Sequence, residues 1–220
     1  SSLGSIGSLL FRVSEALEMS AHRANTNTEA GSARNIAYHY DAGNDFYKLF
    51  LDKSMMYSSG VHEGLYASIE GLSPREQEKA LETAQMAKLD AMIKRARLQP
   101  GEHVLEVGCG WGACAIRMAQ KAGVRVTGIT VSNEQLLEAK ARVAAAGLSD
   151  RIEIIFCDYR HVVGTFDKIV SIEMLEAVGH EHLPSFFECL ERHLKPGGLA
   201  AVQVITLPDD RYQEYCEQHS

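Results

Sequence analysis

At 220 residues, 45% of them hydrophobic and 23% charged, the chain has the composition of a soluble globular protein with one substantial core. A formal net charge of −7 excludes a mainly electrostatic nucleic-acid binder, which needs clustered positive charge. Five cysteines without a CxxC pair point to a reduced, cytoplasmic setting, and no apolar run reaches membrane-spanning length.

Ile6, Leu9, Leu10, Val13, Ala16 and Leu17 fall at helical spacing. They predict an amphipathic helix packed on the main domain, since its polar face is not basic. Residues 24–32 read as a loop. Tyr38-His39-Tyr40-Asp41 follows, then a short aromatic-faced helix over Asn44 to Leu51 and a small-residue loop from Met55 to Gly60. A long helix is expected from about Pro74 to about Arg97, with Ala80, Leu81, Ala84, Ala87, Leu89, Met92 and Ile93 as apolar positions. Its Lys94-Arg95-Ala96-Arg97 end reads as solvated and suited to the helix dipole, rather than as a lipid-headgroup contact.

Beyond it the pattern alternates. Strands are expected at 103–107, 125–129, 152–156, 167–172 and 199–205, and helices at 112–121, 132–146 and 180–194. Ser132 and Gln135 suggest a capping box. Such alternation predicts a doubly wound α/β fold with a parallel sheet. Residues 1–72 would form an N-terminal helical cap and 73–220 the Rossmann-like core. His180-Glu181-His182 has no third ligand at metal spacing, so no metal is expected.

The stretch Glu106-Val107-Gly108-Cys109-Gly110-Trp111-Gly112 reads as a strand end, a tight turn and a helix start. Its G-x-G-x-G spacing differs from the dinucleotide fingerprint, and the next strand ends Gly128-Ile129-Thr130-Val131-Ser132, without the ribose-binding acid. No Lys-Ser/Thr pair follows, which excludes a P-loop. Glu106 beside a close-approach turn suits S-adenosylmethionine, whose sulfonium and amino groups are cationic.

The segments His39-Tyr40-Asp41, Asn44-Asp45-Phe46-Tyr47, Met56-Tyr57-Ser58, Ala84 to Leu89, Glu106 to Gly112, Gly128 to Ser132, Cys157-Asp158-Tyr159-Arg160 and Ile169 to Glu176 occur together in order. Over about residues 34 to 215 this set resembles the cyclopropane-fatty-acyl-phospholipid synthase family, which includes the mycolic acid cyclopropane synthases. The resemblance implies a class I methyltransferase sheet and an unsaturated phospholipid acyl chain as substrate, met at the membrane surface. Homodimer formation is left open. Glu106, Gly108 and Gly110 would contact the methionine part of the cofactor, and Tyr57 and Ser58 would close over it. Thr130, Val131 and Gln135 would hold the ribose and adenosine, Asp158 and Tyr159 would flank the adenine, and Ile172 would lie beneath the reacting centre. Glu176, with Ser59 and Gln203, would hold a bicarbonate ion as the base. The aromatic and Met-rich residues 46–57 would line a dry channel or form plain core.

The chain departs from the family pattern at three points. Ser59 stands where the family often has Cys, and Gln203 where a bicarbonate-contacting His is common, although plant-like members also have Gln there. Five strands are read where such sheets have seven, so the chain looks truncated. A methyl- or methylene-branched product, a C- or N-methyltransferase, and a non-catalytic cofactor-binding subunit are the alternatives.

Overall fold

The computed structural model describes residues 43–62 and 71–212. The helix expected over residues 6–17, the loop at 24–32 and the segment Tyr38 to Asp41 lie outside them. In chain order the elements are α1 (Gly43–Tyr47), α2 (Pro74–Ala96), β1 (His103–Val107), α3 (Ala113–Ala122), β2 (Arg125–Thr130), α4 (Asn133–Ala145), β3 (Ile152–Phe156), β4 (Phe166–Ile172), α5 (Leu183–His193) and β5 (Leu194–Gln203). The strands form one sheet in the order β3-β2-β1-β4-β5, and every pairing is parallel.

Side-chain alternation along the strands builds two cores. Val104, Val126, Ile154 and Val170 meet Leu89 and Met92 of α2, Met118 of α3, and Ala139 and Val143 of α4. Leu105, Val107, Ile129 and Ile169 meet Phe186 and Leu190 of α5 on the other face. The inner strands are therefore apolar on both sides, as a doubly covered parallel sheet requires. Gly128 sits where there is no room for more. A β-carbon there would lie 2.8 Å from Ile154 Cδ1 and 3.0 Å from Cys109 Cβ. Gly128→Ala is expected to destabilise the fold by about 1–3 kcal/mol through overpacking, read from the midpoint of chemical denaturation.

Strands 103–107 and 152–156 are found where the sequence places them. The last strand is not. β5 begins at Leu194, which already pairs with Phe166, and its register then shifts so that Leu199 pairs with Lys168. The intervening Lys195-Pro196-Gly197-Gly198 bulges out, with Gly197 at φ +77°. Ile205 leaves the sheet, its backbone N–H donating to the Glu176 carboxylate instead. The helix expected over 180–194 starts with a 3₁₀ turn at His180–His182 before α5. The aromatic helix is shorter than expected, ending at Tyr47 and continuing as a turn.

α2 begins at Pro74 as expected and carries one further correction. Its start is marked by Glu76 as well as Pro74, the Glu76 carboxylate accepting the backbone N–H of Ser73 at 2.8 Å. Ala87 is exposed, whereas Lys88 is only 1% exposed, because the inward stripe runs Ala84, Gln85, Lys88, Leu89, Met92, Ala96. The 43–62 segment is fastened to the sheet domain. Trp111 Nε1 donates to Asn44 Oδ1 at 2.7 Å, and Arg142 donates to the carbonyls of Ser54 and Trp111 at 2.8 and 3.2 Å. Tyr47, Met55 and Trp111 close over each other as a small third core.

Cys109, Cys114, Cys157 and Cys189 are free thiols. No helix among the described residues is long and apolar enough to cross a membrane.

Candidate active site

The strand order reverses between β1 and β4, since β2 and β3 lie to one side of β1 and β4 and β5 to the other. Chain connections diverge there and open a crevice above the carboxyl ends of the strands. The glycine turn forms one wall. Gly108 and Gly110 have φ of +78° and +52°, which a β-carbon disfavours. The N–H groups of Gly108 and Cys109 both donate to the carbonyl of Ile129, at 3.1 and 2.9 Å, pinning the turn to β2. A β-carbon at Gly108 would come 2.9 Å from Met174 Cγ, whereas one at Gly110 would meet nothing within 4 Å. The backbone at Gly110 thus has open space beside it for a ligand.

Glu106, 3% exposed, lies at the end of β1. Burial pushes its carboxyl up to about 8, against hydrogen bonds from Cys114 and the Ala115 backbone. Its Oε2 is buried with no hydrogen-bond partner. An orphaned buried oxygen costs desolvation energy until a donor or cation reaches it. These features fit S-adenosylmethionine, with its cationic sulfonium and amino groups.

The residues expected on the adenosine side also gather at strand ends. Thr130 Oγ1 donates to Gln135 Oε1 at 2.9 Å and accepts the Ser132 N–H at 3.1 Å. Ser132 accepts the Gln135 N–H at 3.3 Å, but the Gln135 side chain turns to Thr130 and leaves the expected capping box half made. Val131 stands half-buried between them. After β3, Asp158 accepts hydrogen bonds from Arg160 N and Nε at 2.9 and 2.8 Å. Burial acts to raise the Asp158 carboxyl, but those bonds and the Arg160 charge outweigh it and hold it below the usual carboxylate range. Tyr159 packs edge-on against Phe186 with ring centroids 5.3 Å apart. Burial raises its phenol.

On the opposite side of the turn, β4 ends at Ile172, paired with Gln203 of β5. The next residue, Glu173, was not anticipated. Its backbone is left-handed, at φ +49°. Its Oε1 accepts the Ser59 N–H and Gln203 Nε2, each at 2.9 Å, and Gln203 Nε2 also reaches the Ser59 carbonyl at 3.2 Å. Ser59 and Gln203 are therefore brought together as expected, but around a protein carboxylate. Glu176 lies in a short 3₁₀ turn, its carboxylate accepting the Ile205 N–H. Ser58 hydroxyl accepts from Lys88 Nζ, and its carbonyl accepts from Gln85 Nε2 at 2.8 Å. Burial lowers Lys88 to about 8, against the pull of Glu173, Cys114 and Asp52. Tyr57 sits 54% exposed, edge-on to Tyr47 and Phe50. A lysine inside an apolar helical stripe was the one sequence signal that could have led to this cluster.

The sequence and the fold are both matched by known proteins. The family model for mycolic acid cyclopropane synthetase matches residues 27–219. The chain belongs to this family. It is 45% identical to the tuberculostearic acid methyltransferase UfaA1 of Mycobacterium tuberculosis, over 81% of this chain and 40% of that protein. It is 37% identical to the cyclopropane-fatty-acyl-phospholipid synthase of Escherichia coli (strain K12), over 76% of this chain and 39% of that protein. The solved structure of mycolic acid cyclopropane synthase CmaA1 complexed with SAH and CTAB aligns with TM-score 0.64 at 33% identity, covering 74% of this chain and 53% of that one. The chain thus spans about two-fifths of the length of these curated relatives. Its fold is that of the class I S-adenosylmethionine-dependent methyltransferases.

Within this family, the bicarbonate expectation meets a disagreement here. An anion beside Ser59 and Gln203 needs their N–H donors, and Glu173 already takes the Ser59 N–H and the Gln203 amide. A second negative charge next to that carboxylate is disfavoured. The residues present do not fit bicarbonate at this position.

Proposed function

We propose that the protein transfers a methyl group from S-adenosylmethionine to the cis double bond of a lipid acyl chain, with an unsaturated phospholipid as substrate and ring closure to a cyclopropane as product. The observation that carries this reading is the crevice at the strand-order reversal. It joins a buried acid with an orphan oxygen, Glu106, to a polar cluster of Ser59, Glu173 and Gln203 on its far wall. When bound, S-adenosylmethionine supplies an electrophilic methyl group. Glu106 would hold the cationic end of that cofactor, and the open side of Gly110 would admit it. The loop through Tyr57 to Ser59, tied down by Lys88 and Gln85, would cover the reacting centre and keep water out. Phe46, Leu49 and Phe50 are exposed beside that loop and support an approach of the lipid from that side, at the membrane surface.

A second reading is supported by the 45% identity to a protein named for tuberculostearic acid. A hydride shift from the methyl-bearing carbon to the cation, followed by loss of a proton from the transferred methyl, would give a methylene-branched chain instead of a ring. One assay separates the two. The purified protein is incubated with methyl-labelled S-adenosylmethionine and dioleoyl phosphatidylglycerol vesicles, and the lipid is examined by proton NMR. High-field cyclopropyl signals are expected for the first reading and olefinic methylene signals for the second. Lipid without label in either form removes both.

A further inference from the structure

A methyl transfer that ends in ring closure or a methylene group needs a proton acceptor, and the geometry of the site points to one on the chain itself. Three segments far apart in sequence meet at Glu173. They are the loop at Ser59, the end of β4 and the end of β5 at Gln203. The Glu173 backbone N–H donates to the Gln203 carbonyl at 2.8 Å, so main chain and side chain are both engaged. The left-handed backbone, φ +49°, is uncommon for a residue with a β-carbon and persists only where surrounding contacts hold it. The two donors converge on one oxygen, Oε1, and Oε2 takes no hydrogen bond among the described residues. The adjoining Met174 packs against Gly108 of the cofactor turn, so the carboxylate stands next to the wall of the crevice.

We propose that Glu173, in place of bicarbonate, is the base of the reaction. This rests on reading the site as one of methyl transfer to an alkene. The electron pair of the double bond forms a bond to the methyl carbon, and the methyl–sulfur bond breaks with its pair left on sulfur. The neighbouring carbon is then a cation. A proton passes from the transferred methyl group to Glu173 Oε2, and the C–H pair closes the ring. If a hydride first shifts from the methyl-bearing carbon to the cationic carbon, the proton lost from the methyl group to Oε2 leaves its pair as the double bond of a methylene branch. Glu173 ends as a neutral acid and returns its proton to water. A carboxylate is strong enough, because a C–H bond beside a carbocation is very acidic. Oε1 stays fixed by Ser59 and Gln203, which aims Oε2 without consuming it.

The test pairs activity with a binding measurement. In CO₂-free buffer the wild-type protein is expected to alkylate dioleoyl phosphatidylglycerol vesicles at the same rate as in added bicarbonate. Glu173→Gln keeps an acceptor oxygen for the Ser59 N–H and is expected to lose about 10²–10⁴-fold in kcat with cofactor affinity retained. Glu173→Ala frees both donors, so formate or bicarbonate is expected to restore part of its rate. The ¹³C resonance of labelled bicarbonate is expected to broaden with Glu173→Ala and not with the wild-type protein. Wild-type broadening, a bicarbonate requirement, or full activity in Glu173→Gln would overturn the assignment of Glu173 alone. A wild-type protein that labels no lipid under any condition overturns the methyl-transfer reading, and the assignment with it.

Discussion

Phe186→Ala is expected to destabilise the fold by about 3–5 kcal/mol, the usual range for removing a fully buried phenylalanine. Phe186 has no exposed surface and anchors α5 to the sheet, among Leu105, Val107, Ile129 and Ile169. The loss combines the transfer free energy of the ring with the cavity left in a core that relaxes only in part. Set against a typical total stability of about 5–15 kcal/mol, it is a large fraction. The same ring packs edge-on against Tyr159, beside the expected adenine position. Weaker cofactor binding should therefore accompany the lower denaturation midpoint, most visibly near the transition. Phe186→Leu keeps most of the volume and should lose less than half as much. A Phe186→Ala protein that unfolds at the wild-type midpoint would show that this face of the sheet does not hold the fold together.

Glu106→Gln is expected to weaken S-adenosylmethionine binding by about 10–100-fold, the worth of a hydrogen bond to a charged group, with little change in the fold. The reason lies in protonation. Burial raises the Glu106 carboxyl from its ordinary 4.5 to about 8, so at neutral pH the free protein holds it uncharged. Glutamine is a near-isosteric neutral replacement and satisfies the same surroundings. What it cannot do is become an anion when a cation arrives. Because the folded-state pKa is raised, the group's contribution to stability is complete below 4.5 and is lost as pH rises through about 8. Glu106→Gln lacks that loss, so its thermal midpoint should equal or exceed the wild-type value above pH 8. Cofactor binding runs the other way. A cationic ligand favours the carboxylate, so wild-type affinity should rise with pH up to about 8 and then level off, with a proton released per cofactor bound below it. Calorimetric titrations in buffers of different ionisation enthalpy measure that proton directly. Wild-type-like affinity in Glu106→Gln would remove Glu106 from the cofactor site.

Much of the architecture was legible in the chain because it follows from short-range periodicity. Strand alternation and flanking glycines located β1 and β3 to the residue, and the apolar repeat located α2 and α4 to within one or two positions. β5 was misplaced because its Pro-Gly-Gly bulge looks like a helix stop followed by a strand, when Leu194 is already paired with β4. Ala87 was counted among the inward apolar positions of α2, and Lys88 was not, for a related reason. Hydrophobicity alone places alanine inward and lysine outward, but the Lys88 ammonium group has a partner inside, at the Ser58 hydroxyl.

The sequence by itself determined the parallel doubly wound fold, the glycine turn with Glu106 before it, and the gathering of the residues expected to meet the cofactor at the carboxyl ends of the strands. These depend on residue spacings within a few positions of one another. Only the tertiary structure decided what occupies the far wall of the crevice. The Ser59–Glu173 bond spans 114 residues and the Gln203–Ser59 bond 144, and no local pattern encodes such pairings. Sheet order brings β4 and β5 side by side, the Lys88–Ser58 contact holds the loop at α2, and their meeting point places one carboxylate where the sequence had suggested an ion.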